Sequence, residues 1–232
     1  MPKIPAHPWA LAAGVLFVAV VLATFILLHD RATSPVSLGV TERFAVLAGS
    51  AVDNTGASVI RGDIGVSPGS RLTGFPTGAR RTLHVGDDVA SRAQDDLRTA
   101  YDDAAGRSSS GTISGDLAGS TLTSGVFTAA GSLRLSGDLR LDARGNRGAV
   151  FIFQAGSTLN VVSGSRVLLV NGAQVRHVWW QVGGSATIGR NSEFAGNIVA
   201  LTSISMQAGV TLRGRAMARN GAVALDTDTI SP

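Results

Sequence analysis

The chain has 232 residues, of which 29 are Gly, 7 are Pro and none is Cys. The absence of Cys excludes a disulfide-stapled secreted scaffold and a thiolate metal site. An apolar content of 44% with 16% charged residues excludes a disordered chain. The net charge of +4 is compatible with an anionic partner, so the distribution of charge along the chain has to be examined.

The first predicted element is a membrane segment at residues 9–28, preceded by a cytoplasmic N-terminus at 1–8 and followed by a linker at 29–36. The segment "WALAAGVLFVAVVLATFILL" has no charge and is long enough to cross a hydrocarbon core of about 30 Å as a helix. Lys3 favours an N-terminus inside the cell. A cleaved signal peptide is the alternative, although "HDRATSP" offers no small-x-small cleavage site. We therefore expect a single-pass protein of the cell membrane with an extracytoplasmic C-terminal domain, or a protein secreted after signal cleavage.

Residues 37–232 form one predicted domain, which contains a single long helix at about 87–105. Apolar residues recur there at spacings of three and four, which gives the helix one apolar face. Asp87 and Asp88 suit the N-cap and first turn, and Gly106 suits the C-terminal end. The six acidic residues of this helix indicate a solvated outer face rather than a metal site.

The C-terminal half contains a repeat of short alternating strands. Units beginning at residues 177, 197 and 215 follow one another at about 18–20 residues, a period typical of a β-solenoid. Side chains alternate along a strand, so Trp179 and Trp180 point to opposite sides, one toward the core and one toward the helix or an edge. The predicted inward residues are Leu159, Val161, Ala186, Ile188, Ile204, Met206, Val223 and Leu225.

Several phrases together resemble the bacterial and fungal ice-binding-like family. In chain order they include "LGVTERFAVLAGSAVDNTG", "DLRTAYDDAAGR", "GSTLNVVSGSRVLLVNGAQ", "WWQVGGSATIG" and "ARNGAVALDTDTI". The resemblance extends from about Leu38 to Ile230. It implies a mainly β fold, an irregular right-handed β-solenoid of triangular section with one long α-helix packed alongside. It also implies that the first coil closes against the last, and that the protein binds ice outside the cytoplasm as an antifreeze, recrystallisation-inhibiting or ice-adhesion protein.

Aligning the C-terminal coils gives two outward columns of short side chains. On a sheet these side chains stand about 6.6–7 Å apart along a strand and about 4.7–4.9 Å apart between coils, a rigid lattice that ordered water can match. Such side chains lose little rotamer entropy on binding, and no titrating group is required. The predicted ice-binding residues are Thr158, Ser185, Ser203 and Ala222 in the first column and Asn160, Thr187, Ser205 and Ala224 in the second.

Two departures from the family pattern predict weak or absent ice activity, even with the fold intact. The second column contains one Thr in four positions, where strong ice binders of the family tend to carry Thr. Arg134 and Arg140 point outward in the preceding strands, where long side chains would roughen a flat face. The alternative function is a cell-surface adhesion or matrix-binding module of the same fold, with little or no ice activity. Its candidate cations are Arg61, Arg71, Arg80 and Arg81 near one end and Arg213, Arg215 and Arg219 near the other.

Other function classes are disfavoured by the same columns. A polysaccharide-cleaving enzyme needs paired carboxylates or a carboxylate–Ca²⁺ site, and the outward columns contain neither. We therefore predict no enzymatic activity, no catalytic residue, no cofactor and no metal ion. Export and the lack of interleaved exposed aromatics argue against nucleic acid. The predicted partners are an ice surface and the membrane, through residues 9–28, with anionic surface polymers in the adhesion alternative. We expect a monomer.

Overall fold

The structure, a computed structural model, describes residues 34–75 and 82–232. The predicted membrane segment at residues 9–28 therefore lies outside the described residues. Within the described ranges, no helix is both long enough and apolar enough to cross a bilayer. The described residues form strands β1 to β23, one α-helix α1 (Asp88–Ala105) and two short 3₁₀ helices (Gly39–Arg43 and Val175–His177).

The strands form three parallel sheets. In spatial order, sheet A contains β6 (Leu83–Val85), β4 (Asp63–Val66), β1 (Phe44–Ala48), β21 (Ala216–Ala218), β18 (Asn197–Ala200), β15 (Val178–Val182), β12 (Phe151–Ala155), β9 (Gly125–Ala129) and β7 (Gly111–Thr112). In the same order, sheet B contains β10 (Leu133–Leu135), β13 (Leu159–Val161), β16 (Ala186–Ile188), β19 (Ile204–Met206), β22 (Ala222–Asp226), β2 (Ala51–Thr55) and β5 (Arg71–Thr73). Sheet C contains β3 (Val59–Ile60), β23 (Thr229–Ser231), β20 (Thr211–Arg213), β17 (Glu193–Ala195), β14 (Arg166–Val170), β11 (Asp138–Asp142) and β8 (Thr121–Thr123).

Each complete coil contributes one strand to each sheet, so the three sheets enclose a common core. Strands β12, β13 and β14 form one coil, and β15, β16 and β17 form the next. The register pairs Leu159 with Ala186, Ala186 with Ile204, and Ile204 with Val223. All eight predicted inward residues are buried, which confirms the predicted stack. A single coil could not bury these side chains alone, and stacking supplies the missing contacts.

The interior also contains a stack of aromatic rings contributed by neighbouring coils. The rings of Phe153 and Trp180 lie 4.1 Å apart and nearly parallel, with Phe127 on one side and Phe194 on the other. Trp180 Nε1 donates a hydrogen bond of 3.0 Å to the backbone carbonyl of Ala195, so its polar atom is satisfied inside the core. Its neighbour Trp179 points to the opposite side of sheet A and joins the cluster under the helix. The prediction for the tryptophan pair is confirmed.

Helix α1 covers the outer face of sheet A. Ala93, Leu97 and Ala100 are buried on the helix and belong to the same apolar cluster as Trp179 and Met217 of the sheet. The helix begins where Asp87 accepts a hydrogen bond of 2.8 Å from the Ala90 N–H, as an N-cap residue does. It ends before Gly106, which keeps an ordinary φ of −82° rather than a left-handed one. Because the helix occupies sheet A, the regular outer face that remains for a partner belongs to sheet B or sheet C.

The first coil lies beside the last one in space. Val46 of β1 pairs with Ala216 of β21, and Val52 of β2 pairs with Val223 of β22. In sheet C, Ile60 of β3 pairs with Ile230, the partner residue in β23. The closure implied by the family resemblance is therefore present in all three sheets. As a result, β2 and β5 extend sheet B beyond the four coils that the sequence repeat revealed.

Asp228 connects two turns of the chain by hydrogen bonds, at the place where the first coil pairs with the last. The side chain is 1% exposed, and its oxygens accept hydrogen bonds of 2.9 Å from the backbone N–H groups of Val210 and Asp226. Its own N–H donates to Ser58 Oγ of the first coil at 3.0 Å. Burial raises the pKa of Asp228 to about 6, against the opposing effect of the two N–H donors. In the folded protein the carboxyl group therefore keeps its proton up to a higher pH than an exposed aspartate does.

This pKa predicts that Asp228 stabilises the fold least at neutral pH. The folded-state pKa lies above the unfolded value, so the contribution is complete below about pH 4 and is lost as the pH rises through about 6. The free energy of unfolding should fall by up to about 3 kcal/mol from this residue over that range. Four other carboxyl groups have a lowered pKa in the folded protein, so they add stability as the pH rises. They are Asp87, Asp116, Asp138 and Asp142. The contribution of Asp228 is therefore isolated by comparing the wild type with Asp228→Asn at each pH.

Urea unfolding of both proteins at several pH values tests the prediction. The stability difference between wild type and Asp228→Asn should change steadily between about pH 4 and pH 7. A difference that stays constant over this range would show that Asp228 keeps an ordinary pKa.

Candidate functional site

The outer face of sheet B carries the two predicted columns in register. Asn160, Thr187 and Ser205 occupy paired positions on adjacent strands. Ser205 is paired in turn with Ala224 of β22. Thr158, Ser185 and Ser203 of the first column immediately precede β13, β16 and β19, and Ala222 is the first residue of β22, next to the Val223 that pairs with Ile204. Both columns therefore follow one coil after another. The structure thus brings all eight predicted site residues together on a single face.

The hydroxyl groups of the first column are largely engaged in holding the coils together. Thr158 Oγ1 donates to Ser132 Oγ at 2.8 Å. Ser185 Oγ accepts from the backbone N–H of Ser203 at 3.3 Å, and Ser203 Oγ accepts from that of Ala222 at 3.1 Å. The two serine bonds satisfy the backbone N–H groups of Ser203 and Ala222, and all three bonds connect neighbouring coils. The first-column hydroxyls therefore stabilise the stack of coils and also belong to the outer face of sheet B.

The second column presents groups that are free to bind water. The hydroxyls of Thr187 and Ser205 form no hydrogen bond with other described residues, while Asn160 Nδ2 donates to Thr158 Oγ1 at 3.0 Å across the columns. Thr187 is partly buried between its neighbours and Ser205 is exposed. A fixed backbone and short side chains give these groups few rotamers, so ordering them against a solid costs little entropy.

An ion pair lies at each end of the sheet B face. Beyond Ala224 the second column continues into Asp53, which pairs with Arg71 at 2.6 Å and accepts from Thr73 Oγ1 at 2.9 Å. Before Asn160 it begins with Arg134, which pairs with Asp116 at 3.2 Å. The face of short side chains is therefore limited to the coils between these pairs.

The expectation that both Arg134 and Arg140 disturb this face is wrong for Arg140. Arg134 lies on β10 in sheet B, at the second-column position. Arg140 lies on β11 in sheet C, where it pairs in register with Leu168 and Thr121. The chain turns the corner between the two strands near Gly137, and a count along the sequence does not show where that corner falls. One arginine, rather than two, therefore borders the sheet B face from this coil.

Sheet C carries charged side chains that are bound to one another. Arg166 donates to both carboxylate oxygens of Asp138, at 2.8 and 2.6 Å, and this pairing lowers the pKa of Asp138. Hydrogen bonds from the Arg144 N–H and the Asn171 amide lower the pKa of Asp142. A glycosidase needs one carboxyl group that keeps its proton near neutral pH, and neither aspartate is placed to do so. Among the described residues, no cluster of His, Asp and Glu is able to hold a metal ion.

The predicted basic groups do not form two separate patches. Arg215 is buried, and Arg219 pairs with Asp102 at 3.3 Å while its guanidinium lies over the ring of Tyr101. Arg213 pairs with Ser231 of β23, and Arg61, which follows β3, donates its N–H to the Ile230 carbonyl of the same strand, because the first coil closes on the last. Placing them near opposite ends was therefore wrong. Arg71 is paired with Asp53, and Arg80 and Arg81 lie outside the described residues.

These features by themselves define a class of protein. The molecule is a three-sided β-solenoid with one face covered by a helix, one face of paired charges and one face of short side chains in register. Such a regular, rigid face fits a repeating surface better than a single small ligand, since each contact repeats at the coil spacing. The chain belongs to the ice-binding-like family, whose model matches residues 46–231.

Relatives and solved structures agree with this assignment. The chain is similar to the ice-binding protein of Nostoc sp. strain HG1, with 46% identity over 204 residues, covering 87% of this chain and 76% of that protein. It superposes with a TM-score of 0.83 and 46% identity on an ice-binding protein from an Antarctic biological consortium, covering 85% of this chain and 91% of the other. An Arctic yeast ice-binding protein with antifreeze activity gives a TM-score of 0.80 at 27% identity, covering 86% and 94%.

Proposed function

We propose that the protein binds ice through the outer face of sheet B. The observation that carries this proposal is the in-register second column, in which Thr187 and Ser205 present unpaired hydroxyls between short neighbours. Each hydroxyl anchors one water, and the adjacent methyl or Cβ groups order the waters around it. Individually weak contacts then add over a face that loses little entropy on binding. The relatives named above are ice-binding proteins, which supports the same function.

The composition of the column sets the expected strength. Ser205 lacks the methyl group of Thr, and Ala224 lacks the hydroxyl. With Arg134 and Asp53 at the ends, the ordered area is also small. We therefore propose modest inhibition of recrystallisation rather than a large depression of the freezing point. No step of this mechanism requires a titrating group, a cofactor or catalysis.

The deciding experiment measures recrystallisation and thermal hysteresis on residues 34–232. The related solved chains are covered almost completely by this domain, which supports its use alone. Grain growth in a sucrose solution should slow at micromolar protein, relative to an inert protein at equal concentration. Growth that is indistinguishable from the inert control would contradict ice binding and would favour the adhesion alternative.

Replacing Arg134 with Thr should strengthen the activity. The change removes a long charged side chain and supplies a hydroxyl and a methyl next to Asn160, which lengthens the second column by one coil. We expect the protein concentration needed to arrest grain growth to fall by about two- to threefold, because surface contacts add over the face. Arg140→Thr is the matched control, since Arg140 lies on sheet C. An equal gain in both variants would show that charge alone, rather than the sheet B face, sets the activity.

We further propose that residues 9–28 hold this domain at the outside of the cell membrane, or are removed as part of a signal peptide. The support is the uncharged apolar segment itself. In the first case the protein tethers the cell surface to ice or protects it, and in the second it acts in the medium. Membrane fractionation of cells that express the full chain separates the two cases, because a cleaved protein appears in the medium at a smaller mass.

A further inference from the structure

A second candidate binding site lies on the side of the molecule away from sheet B. It is a cleft of about 190 Å³ between the segment at residues 35–42 and the residues that enter β15 and β21. One wall is apolar and consists of Pro35, Val36 and Leu38. The opposite wall carries Arg176, His177, Trp179 and Arg215, a set of hydrogen-bond donors with two positive charges, and Glu42, which bears a carboxylate, also lines the cleft.

Arg215 is a buried cation that has no ion-pair partner among residues 34–75 and 82–232. The residue is 7% exposed, and its guanidinium donates to the backbone carbonyl of Glu42 at 2.7 Å and to Asn197 Oδ1 at 3.0 Å. Both acceptors are neutral, and no carboxylate in the described part of the chain forms an ion pair with it. Burial lowers the pKa of Arg215, and the more distant Glu42 carboxylate offsets this only in part. Buried charges in folded proteins are normally paired.

Two further donors on the same wall have no hydrogen-bond partner within the described part of the chain. Trp179 is 1% exposed, and its Nε1–H, which can only donate, is unpaired. The Arg176 Nε–H donates to His177 Nε2 at 3.2 Å, so the neutral imidazole carries its proton on Nδ1. No described atom accepts a hydrogen bond from this Nδ1, and the backbone carbonyl of Arg147 interacts with the ring. Arg215 therefore lacks an anionic partner and Trp179 lacks an acceptor, and the His177 ring offers a further donor.

We propose that this cleft binds a small carboxylate with a short apolar tail. The carboxylate supplies the missing ion-pair partner of Arg215 and accepts hydrogen bonds from the Trp179 indole and the Arg176 guanidinium. The tail packs on Pro35 and Val36. A volume of about 190 Å³ accommodates a few carbon atoms and not a polymer segment. Binding ties the segment at residues 35–38 to sheet A, without any contact with the ice-binding face.

The test is a titration of the full-length chain, in a nonionic detergent, with sodium butyrate at constant ionic strength against sodium chloride. Tryptophan fluorescence and thermal unfolding are recorded together, because Trp179 lies in the cleft. Butyrate should change the fluorescence in a saturable manner and raise the melting temperature, and acetate should bind more weakly. Sulfate at the same ionic strength should produce neither effect.

Three variants test whether the residues of the cleft bind butyrate. Arg176 is not buried, so Arg176→Gln should leave the fold intact while weakening butyrate binding about tenfold, as expected for one lost charge-assisted hydrogen bond. Trp179→Phe keeps an aromatic ring but loses the N–H, and should weaken binding to a similar extent by thermal shift. Arg190→Gln, an exposed arginine outside the cleft, is the control and should bind like wild type.

Three results would overturn the proposal. One is the absence of a saturable response to butyrate, and another is an equal response to butyrate, sulfate and chloride. The third is binding that appears only in Glu42→Gln, which would identify Glu42, also part of the cleft lining, as the resident anion.

Discussion

Replacing Thr187 with Tyr is expected to remove most of the ice activity while leaving the melting temperature nearly unchanged. The phenol ring would project from the middle of the second column and hold the ice lattice away from Asn160 and Ser205, the neighbours in register. We expect the concentration required to inhibit recrystallisation to rise at least about tenfold, because contacts at the centre of a face dominate its binding. Stability should change by no more than about 0.5 kcal/mol, as for other surface substitutions.

Thr211→Tyr provides the matched control for this experiment. Thr211 is an exposed Thr on β20, in sheet C, so its replacement adds the same ring to a different face. Grain growth is measured for both variants at several concentrations, together with thermal unfolding. If Thr211→Tyr lost activity and Thr187→Tyr kept it, sheet C would be the ice-binding face. If neither lost activity, contact through a flat β face would be excluded for both sheets.

Trp180→Ala should cause the largest loss of stability among single substitutions in the core. The ring is almost completely buried, stacks on Phe153 of the neighbouring coil and contacts Phe194 of its own coil. Its removal leaves a cavity between coils and an unpaired carbonyl at Ala195. We expect the free energy of unfolding to fall by about 3–5 kcal/mol, which is a large part of the total for a domain. Denaturant unfolding measures the change directly.

Trp180→Phe separates the contribution of ring packing from that of the hydrogen bond. Phenylalanine refills most of the cavity but cannot donate to Ala195, so the loss should be about 1–3 kcal/mol. A cost below about 1 kcal/mol for Trp180→Ala would mean that the neighbouring coils relax into the space. The stacked rings would then contribute little to the rigidity on which the sheet B face depends.

The local repeat was accessible from the sequence because alternation along a strand is a short-range property. It located the inward residues, the two outward columns and the opposite orientations of Trp179 and Trp180. The helix was predictable for the same reason, since its apolar spacing and the Asp87 cap lie within a few turns. Side chains that repeat with the local period thus mark both the core and the candidate face.

The two ends of the sheet B face could not be predicted from the sequence. They depend on how residues far apart in the chain pair, and on where the chain turns from one sheet to the next. Asp53 and Thr73 belong to the second column only because the first coil pairs with the last. The corner between β10 and β11 separates Arg134 from Arg140, although both follow the same alternation along the chain. The buried position of Arg215 was also hidden, because its partners Glu42 and Asn197 come from different coils.

The closure of the first coil on the last also determines when the protein can fold. During synthesis the N-terminal coil emerges first, yet one side of it has no partner until residues 216–231 have been made. Contacts of such large sequence separation slow folding, and the unpaired strand edges stay open to other chains in the meantime. A truncation that removed the C-terminal coil would therefore leave a gap inside the stack, whereas the same loss from a simple solenoid would only shorten it. The chain can therefore complete its native fold only after its last strand has been synthesised.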